Sequence, residues 1–121
     1  MSKTILTVDD SRTMREMLKR ALHDAGFNVI QAEDGVHGIE VLQGCEPDVI
    51  ITDVNMPRMD GLTFIEEIRK DGTKRAIPIL VLTTESDAEK KARARRAGAT
   101  GWIVKPFDPT KLVAAIMRVA A

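Results

Sequence analysis

Cysteine and net charge are nearly absent from this sequence of 121 residues. Cys45 is the only cysteine, so the chain can form neither an internal disulfide bond nor a metal centre built from several thiolates. The 18 lysines and arginines are balanced by 18 aspartates and glutamates. A formal net charge of zero argues against binding to nucleic acid or to a membrane surface that is driven by charge alone.

Long apolar segments are missing as well. No apolar stretch approaches the roughly 20 residues that a membrane-spanning helix needs. The charged Asp9 follows the first residues too soon for the hydrophobic region of a secretory signal. Because the length fits one domain, we expect a single cytoplasmic domain over residues 1–121.

Apolar runs and amphipathic segments alternate five times along the chain. The predicted strands cover residues 4–8, 28–32, 49–52, 79–82 and 101–104. The first predicted helix begins after Ser11 and ends at Gly26, and the second covers residues 35–43. The third contains Leu62, Ile65 and Ile68, and the fourth covers residues 85–97. The fifth begins at Pro109, after Asp108. This alternation is typical of an α/β fold in which crossover helices join parallel strands.

Polar side chains follow four of these apolar runs. Asp9 and Asp10 come after the first run, Asp53 after the third, Thr83 after the fourth and Lys105 after the fifth. If the runs are neighbouring parallel strands, their carboxyl ends share the sheet edge at which open α/β folds bind ligands. Three carboxylates, a hydroxyl and an ammonium at one edge predict a site for a divalent cation and a phosphoryl group.

The residue types suit magnesium-dependent phosphoryl transfer. Mg²⁺ prefers oxygen ligands and keeps several waters, so Asp10 and Asp53 are suited to direct contact, with Asp9 outside them. An ionised aspartate needs no general base to act as a nucleophile, so Asp53 can attack phosphorus and form an acyl phosphate. The hydroxyl of Thr83 and the ammonium of Lys105 can position the group and neutralise its charge.

Each of these residues also has a simpler interpretation. An aspartate pair after a strand is more often a turn or a helix cap, and a threonine or lysine at a strand end is more often solvated surface. Asp53 is the exception, because a carboxylate that directly follows a buried strand must be hydrogen-bonded, paired or metal-bound. The joint placement of all the residues favours the functional interpretation.

The same positions resemble the signature of the receiver domain of two-component response regulators, over essentially the whole chain. The matching segments are Val8-Asp9-Asp10-Ser11, Asp53-Val54-Asn55-Met56-Pro57 with Asp60-Gly61, Thr83-Thr84-Glu85 and Lys105-Pro106-Phe107. Since no segment follows the last predicted helix, the chain is most similar to stand-alone chemotaxis receivers of the CheY type. The resemblance implies a flavodoxin-like (βα)5 three-layer sandwich with strand order 2-1-3-4-5.

The resemblance also implies a phosphoacceptor and a metal site. Asp53 would accept a phosphoryl group from a phosphohistidine on a sensor histidine kinase of the CheA type. Mg²⁺ would be held by Asp10, Asp53 and the main-chain carbonyl of Asn55, with Asp9 acting through water. The protein would then be a phosphoacceptor rather than an enzyme, with autophosphorylation and autodephosphorylation confined to Asp53.

Further roles come from the same resemblance. Thr83, Thr84 and Lys105 would contact the phosphoryl oxygens, and Lys105-Pro106 would be a cis peptide. Asn55 and Glu85 would tune hydrolysis of the acyl phosphate. Thr83 and Trp102 would form the switch, with tryptophan where tyrosine or phenylalanine is more usual in the family.

The predicted fourth helix is rich in basic residues. Its simplest interpretation is a solvated surface. The sharper hypothesis is that Lys90, Lys91, Arg95 and Trp102 form a partner surface that accepts an acidic amphipathic helix. The resemblance implies that this partner is the flagellar motor switch protein, and we expect the receiver to be monomeric.

Several alternatives remain open at this stage. A phosphorelay intermediate and a phosphate sink would share the whole site with a motor-directed switch. A small aspartate-dependent phosphatase would also place an aspartate after a buried strand, but it would typically have a second acid where this chain has Asn55. A nucleotide enzyme would need a phosphate-binding loop of the form G-x-x-x-x-G-K-[ST], which does not occur.

Overall fold

Strands and helices alternate along the chain. The computed structural model describes residues 2–72, 76–84 and 86–120. Within these residues the strands are β1 (Thr4–Val8), β2 (Asn28–Ala32), β3 (Val49–Thr52), β4 (Ile79–Thr83) and β5 (Gly101–Val104). The helices are α1 (Arg12–Asp24), α2 (Gly35–Leu42), α3 (Gly61–Lys70), α4 (Ala88–Ala97) and α5 (Pro109–Val119).

The strands form one parallel sheet in the order β2-β1-β3-β4-β5. The predicted strand order and the flavodoxin-like architecture are therefore confirmed. Val8 pairs with Thr52, and Thr83 pairs with Val104, so the residues that follow these strands emerge at the same edge of the sheet. From β1, the chain places β2 on one side in the sheet and β3, β4 and β5 on the other. In open α/β sheets, ligands bind at such a switch point, beyond the carboxyl ends of the strands.

Both faces of the sheet are covered by helices. β3 and β4 are buried at every position, which is why they read as continuous apolar runs rather than alternating ones. On one face the buried residues include Leu6, Ile50, Ile79, Leu62 and Ile65. On the other face they include Ile5, Ile51, Leu82, Leu18, Leu22, Leu112 and Ile116. Helices α2, α3 and α4 therefore cover the first face, and α1 and α5 cover the second.

Every helix begins directly after a residue whose side chain caps it. These residues are Ser11, Asp34, Asp60, Asp87 and Asp108, and each accepts a hydrogen bond from a backbone N–H in the first turn. Such caps satisfy donors that the helix itself leaves unpaired. Among the described residues, no helix has both the length and the apolar character needed to cross a membrane.

Helix α4 begins later than its sequence predicted. The predicted start was residue 85, which lies outside the described residues, whereas the helix begins at Ala88. The carboxylate of Asp87 accepts hydrogen bonds from the N–H groups of Glu89 and Lys90 at 2.7 and 3.4 Å, and this cap sets the start. The predicted end is confirmed, because Gly98 follows in the left-handed conformation with φ of 115°.

Arg69 of α3 joins α4 to the sheet. Its guanidinium donates to the carbonyl oxygen of Gly98 from Nε at 3.1 Å and from Nη2 at 2.8 Å. Its Nη1 donates to the carbonyl oxygen of Ile77, just before β4, at 2.7 Å. Burial lowers the pKa of this arginine. The side chain thus satisfies carbonyl groups at the end of α4 and at the entrance to β4.

Replacing Arg69 with methionine should destabilise the fold. We expect Arg69→Met to lower the free energy of unfolding by about 2 kcal/mol, because two partly buried carbonyls lose their charged donor. Urea denaturation followed by circular dichroism measures the change. The matched control is Lys70→Met, since Lys70 is exposed and pairs with Glu67 only at 3.4 Å; its effect should stay below about 0.5 kcal/mol. Equal effects of the two substitutions would contradict the assignment.

Candidate functional site

Three carboxylates lie together at the carboxyl edge of the sheet. Asp9 and Asp10 follow β1, and Asp53 follows the neighbouring strand β3. One carboxylate oxygen from each residue lies within 4.8 Å of the others. Asp9 is buried, with 2% of its surface exposed, whereas Asp10 is exposed and Asp53 is half-buried. The cluster therefore has an inner and an outer side.

Lys105 joins this cluster from the edge strand. Its Nζ lies 2.9 Å from Oδ2 of Asp9 and 3.1 Å from Oδ2 of Asp53, and only 10% of the side chain is exposed. The backbone N–H of Lys105 donates to the carbonyl of Thr83 at 2.8 Å, which continues the pairing of β5 with β4. The Lys105-Pro106 peptide is cis, as the resemblance implied.

The pKa shifts follow from burial and from these contacts. Burial raises the pKa of Asp9; the hydrogen bonds from Lys105 and the Ser11 N–H oppose this, and the net shift is upward. Burial lowers the pKa of Lys105, but the hydrogen bonds to Asp9 and Asp53 outweigh it and the net shift is upward. The contacts thus favour the charged form of Lys105, whereas they offset only part of the cost of burying the negative charge of Asp9. A divalent cation would complete the compensation.

Short local hydrogen bonds fix the two strand ends. Oδ1 of Asp9 accepts from the N–H of Ser11 at 2.9 Å, and Nη1 of Arg15 donates to the carbonyl oxygen of Asp9 at 2.6 Å. Oδ1 of Asp53 accepts from the N–H of Val54 at 2.7 Å. Arg15 was not among the residues predicted for the site. A backbone carbonyl acceptor leaves no pattern in the sequence, so no signal pointed to this arginine.

The other predicted phosphoryl contacts lie on or beside the same edge. Thr83 is fully buried at the end of β4, and Thr84 follows it and is exposed. Asn55 is exposed in the loop between β3 and α3. Glu85, the predicted tuning residue, lies outside the described residues. The assignments of these side chains and of the Asn55 carbonyl remain predictions.

The predicted partner surface contains a small groove. Lys91 and Arg95 of α4 and Trp102 of β5 line one cavity of about 50 Å³. Trp102 is half-buried, and Lys90 lies on the same helix. Lys91 and Trp102 therefore lie on the same side of the domain, as expected.

The sequence profile of the response regulator receiver domain matches residues 5–117. The chain belongs to this receiver family. Receiver domains act as phosphoacceptor signalling proteins and bind Mg²⁺ at an acidic site. In this receiver Asp9, Asp10 and Asp53 form a cluster of carboxylates that could hold a metal ion.

Chemotaxis proteins are among the relatives of this receiver. It is 41% identical over 109 residues to the chemotaxis protein CheY-3 of Vibrio cholerae, covering 89% of this chain and 84% of that protein. It is 42% identical over 110 residues to the chemotaxis protein CheY1 of Helicobacter pylori, covering 89% of each. The structure of Vibrio cholerae CheY4 superposes with a TM-score of 0.94 at 44% identity, covering 98% of this chain and 99% of that one. This receiver is of the CheY type.

The raised pKa of Lys105 predicts a pH-dependent contribution to stability. Its pKa in the folded receiver lies above the ordinary value of 10.5. The contribution is therefore complete below the unfolded-state pKa and is lost as the pH rises through the folded-state pKa. We expect the free energy of unfolding of the wild type to fall more steeply above about pH 10 than that of Lys105→Met.

Urea denaturation at a series of alkaline pH values measures this difference. The matched control is Lys19→Met, which replaces an exposed lysine of α1 and should keep the steeper profile of the wild type. Parallel profiles for the wild type and Lys105→Met would show that the ion pairs contribute nothing to folding.

Proposed function

We propose that residues 1–121 act as one receiver domain in which Asp53 accepts a phosphoryl group from a phosphohistidine on a sensor histidine kinase of the CheA type. One observation carries this proposal. The carboxylate of Asp53 lies 3.1 Å from the ammonium of Lys105 and shares a cluster of oxygens with Asp9 and Asp10. A nucleophile, a cation and further oxygen ligands are thus already assembled around one point.

The oxygens around Asp53 fit Mg²⁺, which takes hard oxygen ligands. Both carboxylate oxygens of Asp9 already accept hydrogen bonds, Oδ1 from the N–H of Ser11 and Oδ2 from Nζ of Lys105. This supports contact between Asp9 and the metal through a water molecule. Asp10 is exposed beside Asp53, which supports direct contact. The main-chain carbonyl of Asn55 would complete the protein ligands. When bound, Mg²⁺ would neutralise charge on the phosphoryl oxygens and on the carboxylates.

The transfer itself forms one bond to phosphorus and breaks another. A carboxylate oxygen of Asp53 attacks phosphorus, the P–N bond to the donor histidine breaks, and the imidazole nitrogen leaves with the electron pair. Lys105 and the hydroxyls of Thr83 and Thr84 would hold the phosphoryl oxygens. In the separate dephosphorylation step, water attacks phosphorus, the bond between phosphorus and the Asp53 oxygen breaks, and inorganic phosphate and the free carboxylate are released. Asn55 and Glu85 would tune the rate of that hydrolysis.

Substitution of Asp53 tests the phosphoacceptor directly. After incubation with a phosphorylated sensor kinase and Mg²⁺, intact-mass spectrometry should show a gain of one phosphoryl group on the wild type. Asp53→Asn should show no gain, because an amide is not a nucleophile of this kind. The control Asp24→Asn, at the exposed end of α1, should gain the group as the wild type does. Phosphorylation of the Asp53→Asn protein would contradict the assignment.

The proposed output surface is Lys90, Lys91, Arg95 and Trp102, with Thr83 and Trp102 as the switch. Trp102 pairs with Val81 of β4 and lies three residues before Lys105, which supports a link between the phosphoryl site and the surface. The relatives named as chemotaxis proteins favour a flagellar motor switch protein as partner. Lys91 and Arg95, the basic rim, line the groove together with the aromatic side chain of Trp102, and this combination suits an acidic amphipathic helix.

A charge reversal tests this surface. Lys91→Glu should weaken binding of an acidic helical peptide from the motor switch protein about fivefold, or about 1 kcal/mol, because a rim attraction becomes a repulsion. Calorimetric titration of the phosphorylated receiver measures the affinity. The control Lys19→Glu makes the same charge change on α1, which lies on the other face of the sheet, and should bind as the wild type does.

Phosphorylation of Asp53 should be the same in both proteins. An affinity that Lys91→Glu leaves unchanged would remove the basic rim from the docking surface. If the motor peptide binds neither protein, transfer of the phosphoryl group to a second histidine would distinguish a relay intermediate from a phosphate sink.

A further inference from the structure

The loop between β3 and α3 is fixed tightly at its base. This loop covers residues 53–60 and contains Asn55, whose carbonyl is a proposed metal ligand. The N–H of Gly61 donates to the carbonyl of Val54 at 2.8 Å. A Cβ atom at Gly61 would overlap the carbonyl oxygen of Asp53, so the two ends of the loop lie in direct contact. The base alone does not fix the far side of the loop.

The far side of the loop is fastened to the beginning of α2. Arg58 donates from Nε to Oδ2 of Asp34 at 2.7 Å and from Nη2 to Oδ1 at 3.0 Å. Next to this fork, the N–H of Gly35 donates to the carbonyl of Met59 at 3.3 Å. A Cβ atom at Gly35 would lie only 2.8 Å from Met59. The loop and α2 are therefore in close contact over two adjacent residues.

The two partners of the fork are themselves constrained. Asp34 is 4% exposed and caps α2 through a hydrogen bond from the N–H of His37 at 2.9 Å. The hydrogen bond from Arg58 holds the pKa of Asp34 below its ordinary value, although burial acts in the opposite direction. Arg58 has a φ of 63°, a conformation that is uncommon for residues other than glycine. A backbone of this kind persists only where surrounding contacts hold it.

We propose that Arg58 is a positioning residue for the metal site, and that its fork to Asp34 holds the loop in the conformation that presents the Asn55 carbonyl. The inference rests on the proposed function, because it concerns the same magnesium site. Arg58 is half-exposed, with 52% of its side chain accessible, and neither Arg58 nor Asp34 is among the proposed ligands. Their effect on the metal would therefore act through the backbone of the loop.

Charge and position predict opposite results when Arg58 is removed. Loss of a cation near a metal site makes the local potential more negative, which strengthens the binding of Mg²⁺. Loss of a group that orients a ligand weakens binding, typically by 10- to 100-fold. The sign of the change in affinity therefore separates the two explanations.

The experiment is a calorimetric titration of Mg²⁺ alone into folded wild type, Arg58→Met, Arg58→Lys and Asp34→Asn. We expect Arg58→Met to raise the Kd for Mg²⁺ roughly tenfold. Asp34→Asn should have a similar effect. The new amide keeps an oxygen that can cap α2, but it lacks the negative charge that pairs with Arg58. Arg58→Lys should lie between, since an ammonium keeps the charge and loses the fork. The control Lys70→Met, at the far end of α3, should bind as the wild type does.

Kinetics supply a second measurement. With acetyl phosphate as donor, Arg58→Met should need roughly tenfold more Mg²⁺ for half-maximal phosphorylation, while its rate at saturating Mg²⁺ stays within about twofold of the wild type. A Kd for Arg58→Met that is unchanged or lower overturns the inference and leaves the proposed function intact. A wild type that binds no Mg²⁺ overturns the proposed function and this inference with it.

Discussion

The ion pairs of Lys105 with Asp9 and Asp53 are the interaction on which the rest of the site depends. Asp9, Asp53 and Lys105 follow β1, β3 and β5, and the end of β4 lies between the last two. The lysine side chain therefore reaches across the end of β4 to the carboxylates. Clustered carboxylates repel one another unless cations compensate them, so this contact offsets the repulsion between carboxylates that the strand pairing brings together. It also leaves more negative charge than one ammonium can balance.

Most of the fold could be predicted from the sequence because its signals are local. Strand bounds follow from short apolar runs, and four of the five strands have the bounds predicted for them. The predicted start of α4 was wrong, since the sequence has several acidic and hydroxyl residues that could cap the helix, and among the described residues Asp87 is the cap. The carboxylate cluster was predictable too, because parallel strands bring the residues after them to one edge.

The contacts that hold the site were not predictable in the same way. Arg58 and Asp34 are 24 residues apart, and an arginine in a polar loop has the same sequence signature whether it is paired or solvated. Arg15 donates to the backbone carbonyl of Asp9, and an acceptor of this kind leaves no side-chain pattern in the sequence. The net charge of zero does not show that the cations of this chain fall into two groups. Some cations, such as Arg15, fix the backbone around the site, while those of α4 are mostly exposed.

The proposed site thus combines two kinds of support. Asp9 and Asp53 are held by strand ends whose pairing is part of the sheet, so their positions cost no separate ordering. A ligand from the following loop has no such pairing and needs side-chain contacts to fix it. In the proposed switch, the charge on Asp53 moves outward onto the phosphoryl oxygens. Lys105 would follow this charge by altering its contact with Asp9, and Trp102 lies on β5, the short strand that Lys105 directly follows. In this proposed switch, the ion pairs that compensate the acidic site are also the interaction through which its phosphorylation would reach the surface.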